Sequence, residues 1–244
     1  MISKIAVFSL ILVGLAVYFF ASHKVNQSPV PSPTTVNIKG QPKVKYPQDY
    51  TIVLLGDSMT ETLGNSVELK QFLSAYYSGK TFEVLNYGFG ATNILSVMDR
   101  ITKETEHGRK FRPISEIDYD LILLESFGQN PLSEYGLEEG LKRQNEGLDK
   151  IVAKLTETNP EGKIVFVATI SPNKRIFAKN QVDLSDEKRA EWVSERITYI
   201  KNHIAYAEKN NIPVIDIFAK SLMENGDGNR DGNTDYISTD DYIH

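Results

Sequence analysis

The sequence predicts an α/β fold, a three-layer α/β/α sandwich built on a five-stranded parallel sheet. Two observations carry this expectation. Short apolar runs rich in β-branched residues alternate with longer amphipathic stretches from Thr51 onward, a pattern of strands joined by crossover helices that cover both sheet faces. The chain of 244 residues, 41% of them hydrophobic, is long enough for one sizeable core.

The first element is not part of that core. Ile5 to Ser22 is an unbroken apolar run of 18 residues after a single lysine, near the lower length for a membrane-spanning helix. It reads as an uncleaved anchor or a cleaved signal peptide, with the anchor favoured because no small-x-small cut point follows it. Residues 1–22 are therefore assigned to the anchor or signal. Residues 23–49 contain Ser28-Pro29-Val30-Pro31-Ser32-Pro33 and later Pro42 and Pro47, a composition that favours extended chain and reads as a tether. Residues 50–244 form the expected catalytic domain. This arrangement places the domain outside the cytoplasm, either membrane-anchored or secreted.

Within the domain, Thr51–Leu55 is the first strand and Val67–Tyr77 the first long helix. Phe82–Tyr87 is the second strand. Thr92–Glu106 brings Ile94, Leu95, Met98 and Ile101 to one helical face, and Leu121–Glu125 is the third strand. Leu137–Thr156 is strongly periodic, Lys163–Thr169 is the fourth strand, and Ser185 caps a helix running to about Asn210 with Asp186 and Glu187 in its first turn. Ile212–Phe218 is the fifth strand. Apolar positions on the helices, with Trp192 and the Tyr76-Tyr77 pair, are expected in the core.

A net charge of −5 offers no basic footprint for nucleic acid. The absence of cysteine excludes disulfides, thiolate catalysis and cysteine-ligated zinc.

The chemistry is concentrated after strands. The first strand stops at Gly56-Asp57-Ser58, placing a hydroxyl at the carboxyl edge of the sheet, where ligands bind in open parallel sheets. The second strand ends in Asn86-Tyr87-Gly88-Phe89-Gly90-Ala91-Thr92-Asn93, whose glycines let backbone N–H groups approach a ligand. After the third comes Gly128-Gln129-Asn130-Pro131, with a side-chain amide suited to donate. The sequence closes on Asp241-Tyr242-Ile243-His244, a spacing that lets a carboxylate orient an imidazole in a helical turn. His23, His107 and His203 are read as surface or structural. Each motif is weak by itself, since each also fits an ordinary turn.

Together and in this order the motifs resemble the SGNH hydrolase family, the GDSL-type esterases and lipases, over about Tyr50 to His244. The resemblance implies a flavodoxin-like sheet order and a serine esterase. Ser58 is the nucleophile, His244 the general base and Asp241 its orienting carboxylate; the Ser58 N–H, the Gly90 N–H and the Asn130 amide hold the oxyanion. Two departures stand out. Gly90 lies one residue closer to Gly88 than the family spacing, and Pro131 replaces the family's aspartate after Asn130. The implied substrate is a small-molecule, lipid or glycan ester, and no cofactor is required. An acyltransferase, or a noncatalytic surface-binding domain on the same fold, is the alternative. The family's chain continues past the histidine into a helix, so the sequence ending at His244 is expected to be a fragment with an exposed apolar strip.

A separate pattern, Asp227, Asn229, Asp231, Asn233 and Asp235 with Gly232 at the sixth position, matches the ligand spacing of a calcium loop. A polar Asx-turn loop fits the same residues and is the favoured reading.

Overall fold

The computed structural model describes residues 43–179, 181–224 and 230–236. Its centre is a parallel sheet of β1 (Tyr50–Gly56), β2 (Phe82–Gly88), β3 (Leu121–Glu125), β4 (Lys163–Ala168) and β5 (Val214–Asp216), in the spatial order β2-β1-β3-β4-β5. β1 pairs along its whole length with β2, from Tyr50 opposite Phe82 to Gly56 opposite Gly88. All neighbouring pairs in this sheet are parallel, and the order reverses at β1, the topological switch point of such sheets.

Both faces of the sheet are buried, as a parallel sheet with crossover helices requires. On one face Val53, Leu55, Ile122, Leu124 and Phe166 pack against Val97 and Ile101 of α3 (Val97–Thr102), Leu148, Ile151 and Leu155 of α4 (Leu137–Thr158), and Tyr199 and Ala207 of α5 (Asp186–Lys209). On the other, Ile52, Leu54, Leu121, Leu123, Val165 and Val167 meet Met59 of α1 (Ser58–Glu61) and Leu69 and Leu73 of α2 (Val67–Tyr76). The period-2 alternation of β1 assigns its side chains to the two cores. A short α6 (Ile217–Lys220) follows β5 directly.

The expected elements are present, with three corrections. Thr92–Glu106 is not one helix. Asn93 caps a 3₁₀ turn at Ile94–Ser96, α3 follows, and Thr105–Glu106 then pairs antiparallel with Lys110–Phe111. The fifth strand is shorter than its apolar run because Asp216 caps α6 through a 2.8 Å bond from the Ala219 N–H. Tyr76 is 59% exposed rather than core, and rests edge-on against Tyr77. Ser185 does cap α5, accepting from the Lys188 N–H.

Val44, just ahead of the domain, makes a parallel bridge with Ile117: its N–H donates to Glu116 O and its carbonyl accepts from the Asp118 N–H. The chain thus enters along the amino-terminal edge of β3.

Arg100 ties the opposite edge together. It is 1% exposed, yet its Nη1 donates to Gly56 O at 2.6 Å, the last carbonyl of β1, and to Tyr87 O at 2.9 Å, the penultimate carbonyl of β2. Nη2 donates to Thr92 Oγ1 and Ser96 Oγ, and the guanidinium lies over Phe89, 4.4 Å from its centroid. Burial lowers its pKa to about 10, against the raising pull of Asp57, Glu125 and Glu61, so it stays charged at neutral pH. Arg100→Met removes the guanidinium's bonds to Tyr87 O, Thr92 Oγ1 and Ser96 Oγ and leaves Gly56 O with only the Phe89 N–H, and should cost about 3–5 kcal/mol in unfolding free energy. Denaturant titration of the variant beside the parent chain measures this, and a loss below about 1 kcal/mol would show that water replaces the guanidinium at no great cost.

Candidate active site

β1 delivers Ser58 to the carboxyl edge of the sheet and turns at once into α1. Asp57 makes that turn: it is the N-cap, and its Oδ1 accepts from the Met59 N–H at 2.9 Å. Ser58 is therefore the first residue of a helix, a position whose N–H has no intrahelical acceptor. α1 lies close against the strand ends. A Cβ at Gly56 would meet Thr60 Oγ1 at 2.0 Å, and one at Gly88 would meet the Glu61 nitrogen at 2.2 Å, so both glycines are dictated by close approach. Asn86 fastens α1 from the second strand, its Nδ2 donating to Thr60 O and Gly64 O while its Oδ1 accepts from the Gly88 N–H.

Beneath the serine lies a buried carboxyl pair. Asp57 is 0% exposed and Glu125 5%, and their side chains hydrogen-bond to one another. Burial pushes the Glu125 carboxyl well above the ordinary glutamate value of 4.5, and the adjacent Asp57 adds to the shift. Glu125 Oε1 accepts from the Ser126 hydroxyl and the Phe127 N–H. Asp57 accepts from Met59 N–H and, through Oδ2, from Asn130 Nδ2 at 2.9 Å. Glu125 Oε2 also accepts from the Asp57 N–H at 3.3 Å.

Asn130 and Gly90 both reach this edge. Asn130 closes a turn by donating its N–H to Phe127 O, and Phe127 adopts a left-handed backbone at φ 53°. A Cβ built at Gly90 would lie 3.8 Å from Ser58 Cβ. Its N–H donates to Glu61 Oε2 at 2.7 Å, and Glu61 Oε1 bonds His107 Nε2 at 2.8 Å. His107, expected away from the strand ends, is brought to this edge by the turn between Thr105–Glu106 and Lys110–Phe111 and stacks on Phe89 at 4.6 Å. His203 is structural as expected: it stacks on Phe166, its Nε2 bonds Leu124 O, and burial lowers its pKa to about 3.

Ser58, Gly90 and Asn130 thus gather at one end of β1, β2 and β3. Asp241 and His244 lie outside the described residues, as do Asp227 and Asn229 and residues 1–42. Of the remaining loop candidates, Asp231 is buried and accepts from the Lys174 and Gly232 N–H groups, and Asn233 Oδ1 accepts from the Asp235 N–H in an Asx turn. Among the described residues no cluster of three or more His, Cys, Asp or Glu is arranged to hold a metal, and no helix is long and apolar enough to cross a membrane.

Sequence reasoning missed Arg100, Glu125 and Glu61. Arg100 carried a signal, because it shares a helical face with Val97 and Ile101, where a cation is out of place. Glu125 likewise ends an otherwise apolar strand buried on both faces.

A model of the GDSL-like lipase/acylhydrolase family matches residues 52–244. The chain belongs to that family. Solved structures share the likeness at low identity. The lipase/acylhydrolase from Enterococcus faecalis is 17% identical, with 77% of this chain and 89% of that one covered and a TM-score of 0.49. For Axe2, an acetylxylan esterase from Geobacillus stearothermophilus, the figures are 13%, 78%, 90% and 0.49. A search of curated proteins finds no match. As a GDSL-like lipase/acylhydrolase, the chain is a member of a hydrolase family.

The carboxyl pair sets a pH dependence. Above the ordinary glutamate value the unfolded chain has released the Glu125 proton while the folded protein keeps it, so stability falls as pH rises towards the raised folded value, by at most about 1.4 kcal/mol per pH unit. Below 4.5 that contribution is flat. Glu125→Gln, which can still donate to Asp57 and accept from Ser126, should flatten the slope, whereas Glu125→Ala should lower the unfolding temperature at every pH. Thermal unfolding of the three proteins between pH 4 and 8 checks this. An unchanged slope in the Gln variant would assign it to other groups.

Proposed function

We propose that the protein is a serine esterase that works through an acyl-enzyme on the outer side of the membrane. The observation that carries this is the placement of Ser58 at the start of α1, beside the Gly90 turn and the Asn130 amide, on a rigid strand edge. Ser58 Oγ attacks the ester carbonyl, and His244, oriented by Asp241, takes the hydroxyl proton and returns it to the leaving alcohol. Water then repeats the cycle on the acyl group. The roles of His244 and Asp241 rest on the Asp-x-x-His match, and the reaction draws on protein groups and water alone. Asn130 is held by Asp57 through one N–H, and its amide has a second to offer an oxyanion. The oxyanion needs donors that strengthen as charge develops, and the Ser58 N–H, the Gly90 turn and this amide supply them.

The apolar run 5–22 and the proline-rich stretch after it support an anchored or exported enzyme acting on lipid or glycan esters of the envelope. The calcium-loop residues are given no part in the chemistry.

Ser58→Ala should abolish turnover of a short-chain aryl ester and labelling by a fluorophosphonate while leaving thermal unfolding unchanged, because the hydroxyl faces solvent rather than the core. Labelling and turnover that survive in the variant would remove Ser58 from the mechanism. No labelling of the folded parent chain would favour a noncatalytic binding domain. Asn130→Ala should lower kcat by about 10² to 10³ with KM nearly constant. A rise in KM alone would make Asn130 a substrate-binding residue.

A further inference from the structure

The Gly90 N–H has one proton, and Glu61 takes it. Glu61 stands one helical turn after Ser58, and its carboxylate is held from two sides, by the Gly90 N–H at 2.7 Å and by His107 Nε2 at 2.8 Å. His107 is in turn braced by its stack on Phe89, a buried ring that lies against the Arg100 guanidinium. The contact is thus held from two sides, although the His107 and Glu61 side chains remain 33% and 45% exposed. An N–H committed to a carboxylate cannot also stabilise a new oxyanion at full strength.

The next residue has the properties that Gly90 lacks. Ala91 is exposed, and its N–H makes no hydrogen bond to another described residue. Its backbone is left-handed at φ 56°, a conformation that costs a residue with a Cβ about 1–2 kcal/mol. Strain of this kind persists only where the surroundings impose it. Here they do: Thr92 Oγ1 closes the turn by donating to Phe89 O while accepting from Arg100, and Glu61 fixes Gly90 from the other side.

We propose that the Ala91 N–H, not that of Gly90, is the backbone oxyanion donor of the second strand, and that Glu61 is the positioning residue that turns it toward Ser58. This rests on the serine-esterase reading. As the bond from Ser58 Oγ to the carbonyl carbon forms, the carbonyl π pair moves onto oxygen and the hydroxyl proton passes to the base. The oxyanion then accepts from Ser58 N–H, Ala91 N–H and the Asn130 amide. When the π bond re-forms, the bond to the alcohol oxygen breaks and the alcohol leaves with the proton.

The test is to label glycine and alanine nitrogens with ¹⁵N in the full chain and treat it with a fluorophosphonate, whose tetrahedral adduct on Ser58, formed with loss of fluoride, presents a polar phosphoryl oxygen to the hole. The Ala91 amide proton should move strongly downfield and that of Gly90 should stay. Movement of Gly90 with Ala91 unchanged overturns the assignment and leaves the esterase reading intact. Absence of an adduct by mass sinks the esterase reading and this assignment with it. In parallel, Glu61→Ala should lower kcat about 10-fold to 10²-fold at constant KM through a misplaced donor, and Glu61→Gln, which can still accept from Gly90, should recover most of that loss. A rise in kcat for Glu61→Ala would instead make Glu61 a competitor for the hole and overturn its positioning role.

Discussion

The site depends on one buried cation. Arg100 sits where two parallel strands end side by side, and strand ends are where backbone carbonyls lose their ladder partners. The same guanidinium holds the turn after β2 through Thr92 and Ser96. Losing solvation is costly for a charged group, and here both terminal nitrogens are bonded while Nε is buried without a partner. Phe89 lies under the ring plane, and Asp57, Glu125 and Glu61 supply compensating charge. The end of β1, the turn after β2 and the carboxyl pair therefore share one anchor.

Around that anchor the polar groups form two layers with different roles. The lower layer, Asp57, Glu125 and Ser126, is buried and hydrogen-bonded: Asp57 caps α1 and accepts from Asn130, and burial beside Asp57 raises the Glu125 pKa. The upper layer, Glu61, His107 and the Gly90–Ala91 turn, is solvent-facing and contains the left-handed alanine. Left-handed Phe127 joins the lower layer to the Asn130 turn, because its N–H goes to Glu125 and its carbonyl takes the Asn130 N–H. Backbone strain at the ends of β2 and β3 thus coincides with the groups proposed to meet substrate.

Strand positions and the Gly56-Asp57-Ser58 turn were legible in the sequence because a buried parallel strand must be apolar on both faces and must end abruptly. Helix periodicity located α4 and α5 for the same reason. What was hidden depends on contacts distant in sequence. Glu61 and His107 are 46 residues apart and meet only through a hairpin of two-residue strands, which leaves no periodic trace. The split of Thr92–Glu106 was obscured by its apolar face, which continues through the 3₁₀ turn into α3 although the backbone changes. Asp241 and His244 were read from their three-residue spacing and from motif order, and they lie outside the described residues.

The bridge between Val44 and Ile117 has a directional consequence. It fastens the incoming chain to the amino-terminal edge of the sheet, whereas Ser58 stands beyond the carboxyl end of β1. A strand of seven residues spans about 23 Å. The described chain therefore enters at one end of the sheet and presents Ser58 at the other, so the two ends of β1 are held by separate sets of contacts, the Val44 bridge at the foot and Arg100 at the tip.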